Sequence, residues 1–95
     1  MAAYVIVDIQ ITDPVRYEEY KKMAAPTVTA FGGKYVVRGG AAEALEGERV
    51  PGRLVVLEFP TLERAKEWWA SEAYGPAKRL RQECAKTEMI VVEGT

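Results

Sequence analysis

The residues best equipped for chemistry are four charged side chains set beside apolar runs: Asp8, Arg38, Arg53 and Glu58. Asp8 and Arg38 lie in two strand-like runs and Arg53 opens a third, so one reading is a charged site at the mouth of a sheet. There an arginine fork would hold a carboxylate or an enolate. The other reading is a structural salt bridge that pins strand register or a dimer. Glu58 is the candidate general base, since desolvation on an apolar sheet face moves a carboxylate toward a useful proton affinity. A hydrogen bond to Tyr4 or a pairing with Arg81 accounts for it as well.

The absences narrow the chemistry further. Histidine is missing and Cys84 is the single cysteine, which removes Ser-His and Cys-His nucleophile pairs, the commonest metal ligand, the usual haem ligand and any intrachain disulfide. No metal or cofactor is expected. Cys84 sits at a helical position near Leu80 and reads as a semi-buried structural thiol. Gly32-Gly33 and Gly39-Gly40 flank a strand instead of opening a helix after one, so they are turn glycines and not a phosphate loop.

Among the aromatics, Tyr17 and Tyr20 are spaced to share a helix face. They are either core rings with hydroxyls reaching the rim or the lining of a pocket. Trp68 and Trp69 cannot both point inward from one helix, so one of them should sit at an interface or over a cleft. Ser71 reads as a cap and Glu46 as a loop residue.

The elements that position these residues repeat an order. Tyr4-Val5-Ile6-Val7-Asp8-Ile9 leads to a helix start at Thr12-Asp13-Pro14, and Leu54-Val55-Val56-Leu57-Glu58-Phe59 leads to another at Pro60-Thr61. Val36-Val37-Arg38 and Met89 to Glu93 supply the returning strands, giving an α+β ferredoxin-like βαββαβ arrangement over a single domain, 1–95. Asp13 and Thr61 are N-caps and Glu63 favours the second helix dipole. Pro26 should kink the first helix or restart it after Ala25, and Ser71 with Gly75-Pro76 should interrupt the second before a continuation that carries Ala77, Leu80, Arg81 and Cys84. The segment from Gly39 to Gly52, with Gly47 and Pro51, is an exposed connection.

In this arrangement the four-stranded antiparallel sheet has the order 4-1-3-2 with both helices on one face. Strand alternation assigns Val5, Val7, Ile9, Val55, Leu57, Phe59, Ile90 and Val92 to the helix side. The open side then carries Tyr4, Ile6, Asp8, Val36, Arg38, Leu54, Val56, Glu58, Met89, Val91 and Glu93: an apolar centre with charged ends. Such a patch exceeds what soluble monomers normally leave wet, and a second sheet packed about 10 Å away would close it into a two-fold barrel. A homodimer is therefore the expected assembly.

The 95 residues carry 13 basic and 14 acidic side chains with the signs interspersed, which gives no electrostatic footprint for a nucleic acid. No apolar run approaches the roughly 20 residues that span a bilayer, and the chain passes from Met1-Ala2-Ala3 into a strand without a basic leader. A cytoplasmic protein with neither nucleic-acid nor membrane partners is expected.

The ordered set of Tyr4-Val5-Ile6-Val7-Asp8, Thr12-Asp13-Pro14 with Tyr17 and Tyr20, Gly32 through Gly40, Leu45-Glu46-Gly47, Arg53 through Pro60, Ala65, Trp68, Ser71, Tyr74, Arg81 and Val92-Glu93-Gly94 resembles the family catalogued as domain of unknown function 1330. The resemblance spans nearly the whole chain. It implies a ferredoxin-like protomer in a dimeric α+β barrel, a superfamily that includes cofactor-free monooxygenases, lactone isomerases and haem-degrading enzymes, without implying any one of those activities. The leading reading is a small homodimer that binds a small organic acid or aromatic compound between sheet and helices. A cofactor-independent oxygenase or isomerase, and a purely structural or regulatory dimer, are the alternatives. The ligand-binding candidates are Arg38, Arg53, Tyr17, Tyr20, Trp69 and Tyr74; the catalytic candidates are Glu58 and Asp8.

Overall fold

A computed structural model describes residues 1–95. The elements are β1 (Ala3–Ile11), α1 (Pro14–Ala30), β2 (Lys34–Arg38), β3 (Arg53–Phe59), α2 (Leu62–Ala70), α3 (Gly75–Cys84) and β4 (Ala85–Glu93). The sheet order is β2-β3-β1-β4 with antiparallel neighbours throughout, the expected 4-1-3-2 order viewed from the other edge. Val5, Val7 and Ile9 alternate out of β1 into the core, and with Val55, Leu57 and Phe59 they form the floor on which the helices sit.

The helix ends follow their local chemistry. Asp13 accepts a hydrogen bond from the Arg16 amide at 3.2 Å and Pro14 takes the first helical position. The amides of Thr12 and Asp13 donate to the Cys84 carbonyl at 2.9 and 3.0 Å, which ties the start of α1 to the end of α3. At the other end Gly33 donates to Val28 and Gly32 to Thr29, a Schellman closure in which Gly32 takes φ +77°.

Pro26 neither ends nor restarts α1, which runs through it without a break. A proline inside a helix removes one amide donor. Here Ala24 and Val28, buried on either side of it, keep both halves seated on the sheet. The second helical region breaks at Ser71 and resumes at Gly75, as expected. Ser71 Oγ donates to the Trp68 carbonyl at 2.7 Å and accepts the Tyr74 amide at 3.1 Å, so the chain turns at 71–74, and Gly75-Pro76 open α3.

Two strands differ from the alternation read in the sequence. β4 begins at Ala85, directly after α3, and pairs with the whole of β1. Its faces are the reverse of those expected. Met89 and Val91 stand opposite Val7 and Val5 on the helix side, while Ile90 and Val92 stand opposite Ile6 and Tyr4 on the open side, since directly opposed residues share a face. Met89-Ile90-Val91-Val92 is apolar at both parities, so alternation within it had nothing to choose by.

In β2, Tyr35 pairs with Leu57 and Val37 with Val56, which leaves Val36 as the extra residue of a bulge. Beyond the bulge Arg38 stands opposite Val55. It therefore lies on the helix side and not on the open face. No helix of the chain is long and apolar enough to cross a membrane.

Candidate functional site

The bulge places Arg38 over the same cleft as Arg53, the first residue of β3, between the sheet and α1. Tyr17 and Tyr20 descend from α1 with ring centroids 5.4 Å apart, and Tyr35 stands on β2 with the Arg38 guanidinium 4.3 Å from its ring centre. The Arg53 guanidinium lies 5.7 Å from the Tyr17 ring. Gly39 makes room for it: with φ +74°, its missing Cβ would fall 2.2 Å from Arg53 Nη1.

The charged side chains lining this cleft are Lys21, Arg38 and Arg53, with no acid among them. Lys21 pairs with Glu18 at 2.9 Å; neither arginine forms an ion pair, and Arg53 Nε is buried without an acceptor. Burial raises the Tyr17 and Tyr35 hydroxyl pKa values, opposed by Arg53 and Arg38 respectively. The enclosed volume is about 20 Å³, room for about one water molecule.

A hydrogen-bond chain runs out of the cleft. The Tyr20 and Tyr74 hydroxyls are 2.9 Å apart, and Arg81 Nε donates to the Tyr74 oxygen at 3.3 Å. Tyr74 is fully buried, its ring centre 4.1 Å from that of Trp68. Burial, reinforced by Tyr74, lifts Tyr20 far above the usual phenol range. Trp68 is the inward member of the tryptophan pair and donates from Nε1 to Thr27 Oγ1 at 3.0 Å. Trp69 points outward, 46% exposed, and lies outside this cleft along a larger groove between α2 and β4.

Asp8 and Glu58 do not join the arginines. Both are on the open face. Asp8 accepts from the Gly52 amide at 3.1 Å and pairs with Arg49, which also lies 3.7 Å from Glu88. Glu58 accepts from the Tyr4 hydroxyl at 3.2 Å and pairs with Lys34 at 3.1 Å. The expected cluster of Asp8 with Arg38 and Arg53 is thus divided by the sheet, and Arg81 has no contact with Glu58. Of the candidate ligand residues the fold gathers Arg38, Arg53, Tyr17 and Tyr20, and joins Tyr74 to them through Tyr20.

Sequence reasoning missed Tyr35 and Arg49. Tyr35 becomes a wall of the cleft by pairing with the buried Leu57, ahead of the bulge, and Arg49 meets Asp8 across a long connection with no regular structure. Cys84 is fully buried, more so than expected, and burial pushes its thiol up, away from reactivity. No three or more Cys, Asp or Glu side chains gather in a way that could hold a metal ion.

Among solved structures the chain is similar to a protein of unknown function from Rhodopseudomonas palustris (18% identity, 99% of this chain and 82% of that one, TM-score 0.80). It is also similar to SnoaB, a cofactor-independent oxygenase from Streptomyces nogalater (11% identity, 99% and 93%, TM-score 0.64), and to an ethyl tert-butyl ether D family protein from Bacillus halodurans (12% identity, 100% and 99%, TM-score 0.57). These likenesses, at 18% identity or less, establish the fold alone: an α+β protomer with one four-stranded antiparallel sheet. No curated protein matches the sequence. Residues 2–95 match the model of a domain of unknown function, DUF1330.

Proposed function

The chain belongs to the DUF1330 family, and from that premise we propose that it is a homodimer whose protomers each bind a small organic acid, preferably an aromatic one, in the cleft under α1. The carrying observation is the pair Arg38 and Arg53. Two guanidinium groups enter a tyrosine-lined cleft with no carboxylate opposite them, and one has a buried donor without an acceptor. A carboxylate takes up such donors with paired hydrogen bonds, and the Tyr17, Tyr20 and Tyr35 rings flank an aromatic body. Because the cleft encloses only about 20 Å³, binding requires its walls to part, and Arg38, exposed at the end of β2, is the charged wall residue with room to move.

The dimer half of the proposal rests on the open face. Ile6, Val37, Leu54, Val56, Ile90 and Val92 form its centre, Ile90 being 60% and Val92 45% exposed. Leu45 and Val50, almost wholly exposed on the connecting segment, extend the apolar surface toward a partner.

A catalytic reading has one observation in its favour, the Tyr20–Tyr74–Arg81 chain on the cleft wall, which is placed to hold a proton. The raised Tyr20 pKa makes that hydroxyl a donor and not a base, and this favours binding over proton abstraction.

Calorimetry and thermal shift with benzoate test the binding reading. Benzoate should stabilise the protein with saturation, the neutral analogue benzamide should not, and Arg38→Met should abolish the saturable benzoate shifts of the Tyr17, Tyr20 and Tyr35 amides, read by NMR, while the fold survives. Shifts at those amides that persist in both Arg38→Met and Arg53→Met would remove the cleft from consideration.

A further inference from the structure

We infer that the groove between α2, α3 and β4 is a second binding site, for a small aromatic carboxylate, distinct from the cleft under α1. Arg81 is 4% exposed, yet it donates only to neutral hydroxyls, from Nε to Tyr74 at 3.3 Å and from Nη1 to Thr87 Oγ1. It takes part in none of the ion pairs of the chain. A guanidinium does not lose its proton in a protein, so a buried one without an anion leaves its charge uncompensated. Every other basic side chain turned toward the helices either reaches solvent or, like Arg53, lines the α1 cleft.

Beside Arg81 lies a hollow of about 540 Å³, inside the roughly 300–1,000 Å³ range of sites that hold small organic ligands. Its charged lining residues are Arg81 and Lys66, again with no acid. The rest of the lining is mostly apolar, with Trp69, Met89 and Val91 partly exposed, and Gln82 and Thr87 add neutral polar groups. Lys78 Nζ sits 3.9 Å from the Trp69 ring centre and donates to the Trp69 carbonyl at 3.0 Å, which fixes the indole at the rim and leaves the rest of its surface to the groove.

The combination selects the ligand class. An inorganic anion would answer Arg81 and Lys66 but leave the indole and the valine wall wet. A neutral aromatic would cover the wall and leave Arg81 uncompensated. A ring bearing one carboxylate meets both demands, with the carboxylate toward Arg81 and the planar body along Trp69 and Val91.

Amide NMR of the full chain titrated with benzoate tests this. Saturable shifts are expected at the Trp69 indole N–H and at the amides of Thr87 to Val91, with none from benzamide. Trp69→Ala and Arg81→Gln should each weaken this binding by about tenfold or more, the scale of one lost anchor. Arg38→Met, which disables the α1 cleft, should leave it unchanged, so the two sites succeed or fail separately. Should Arg81→Gln not fold, Trp69→Ala and Lys66→Gln, both at exposed positions, carry the comparison. Shifts confined to residues of the α1 cleft, an equal response to benzamide, no saturable shift at all, or unchanged affinity in the groove variants would overturn the inference.

Discussion

The two sides of this sheet use charge in opposite ways. On the open side every acid set into the apolar face has a donor from its own chain: Asp8 holds Arg49 and the Gly52 amide, and Glu58 holds Tyr4 and Lys34. On the helix side the cavities are lined by Lys21, Arg38, Arg53, Lys66 and Arg81, with no acid, and of these only Lys21 has an ion pair, with Glu18. Charge answered internally fixes register and anchors a connection. Charge left unanswered beside apolar and aromatic walls is available to something from outside. The distinction separates structural from binding residues more sharply than their identities do, since arginine occurs on both sides: Arg49 is answered by Asp8, whereas Arg38, Arg53 and Arg81 have no acid.

The largest expected effect tests the open side as an interface. Val56, half-buried between Ile6 and Val37, should become the centre of the dimer, and Val56→Asp would place there a charge without a partner. Such a charge costs about 3–5 kcal/mol, and at about 1.4 kcal/mol per tenfold dimer affinity should fall by more than two decades. Light scattering should give about twice the 10.6 kDa protomer mass for the unaltered protein and the protomer mass for the variant. A monomer at micromolar concentration before any substitution would break the comparison at its base.

Next in size is the separation of ligand response from stability on the helix side. Arg53→Met removes a buried donor that lacks an acceptor, a relief of roughly 1–3 kcal/mol, and loses a cation–π contact worth ~0.5–2 kcal/mol. The two nearly cancel, so denaturant midpoints should move little while the benzoate shifts of the cleft amides disappear. Glu58→Gln should do the reverse, weakening the protein or its dimer and leaving the benzoate response intact. If Glu58→Gln also abolishes that response, the acids of the open side belong to the site after all.

The buried tyrosines give the helix side a pH signature. Tyr20 is raised far above the ordinary phenol value by burial, with Tyr17 and Tyr35 raised less. In the unfolded chain these hydroxyls ionise near pH 10, so above that pH the unfolded state binds fewer protons than the folded state and stability falls as pH rises. Below pH 10 the contribution is fully present. Tyr20→Phe should cost about 1 kcal/mol at neutral pH through its lost hydrogen bond to Tyr74 and make the decline above pH 10 shallower. A decline of unchanged slope would mean that Tyr20 titrates as if exposed.

Why the sheet order could be read and the site only half read comes down to particular residues. β1 alternates cleanly, Asp13-Pro14 and Thr61 mark helix starts by their side-chain chemistry, and a repeated strand–helix order leaves few topologies. Those signals are local. The position of Arg38 is not, because it depends on whether Val36 or Val37 is the extra residue of a bulge, and both are apolar and β-branched. β4 failed for the same reason: four consecutive apolar residues fix its faces only through their register with Val5 and Val7. The arginines were found as candidates by type, but the side of the sheet on which each one works is a property of pairing.

The smallest effect distinguishes the two sides most delicately. Asp8 binds the returning end of the 39–52 connection through the Gly52 amide and Arg49, whose side chain is 68% exposed. Solvent screens such a pair, so Asp8→Asn should cost only about 1 kcal/mol, mostly from the weakened bond to Gly52. The loss should be local. Hydrogen exchange at the Gly52 amide should quicken while amides of β1 paired to β3 keep their protection, and benzoate binding under α1 should not change. If the substitution instead loosens Arg53, the residue that follows Gly52, the open-side anchor also sets the geometry of the cleft, and the division of the sheet into a structural and a binding side would have to yield to a coupled one.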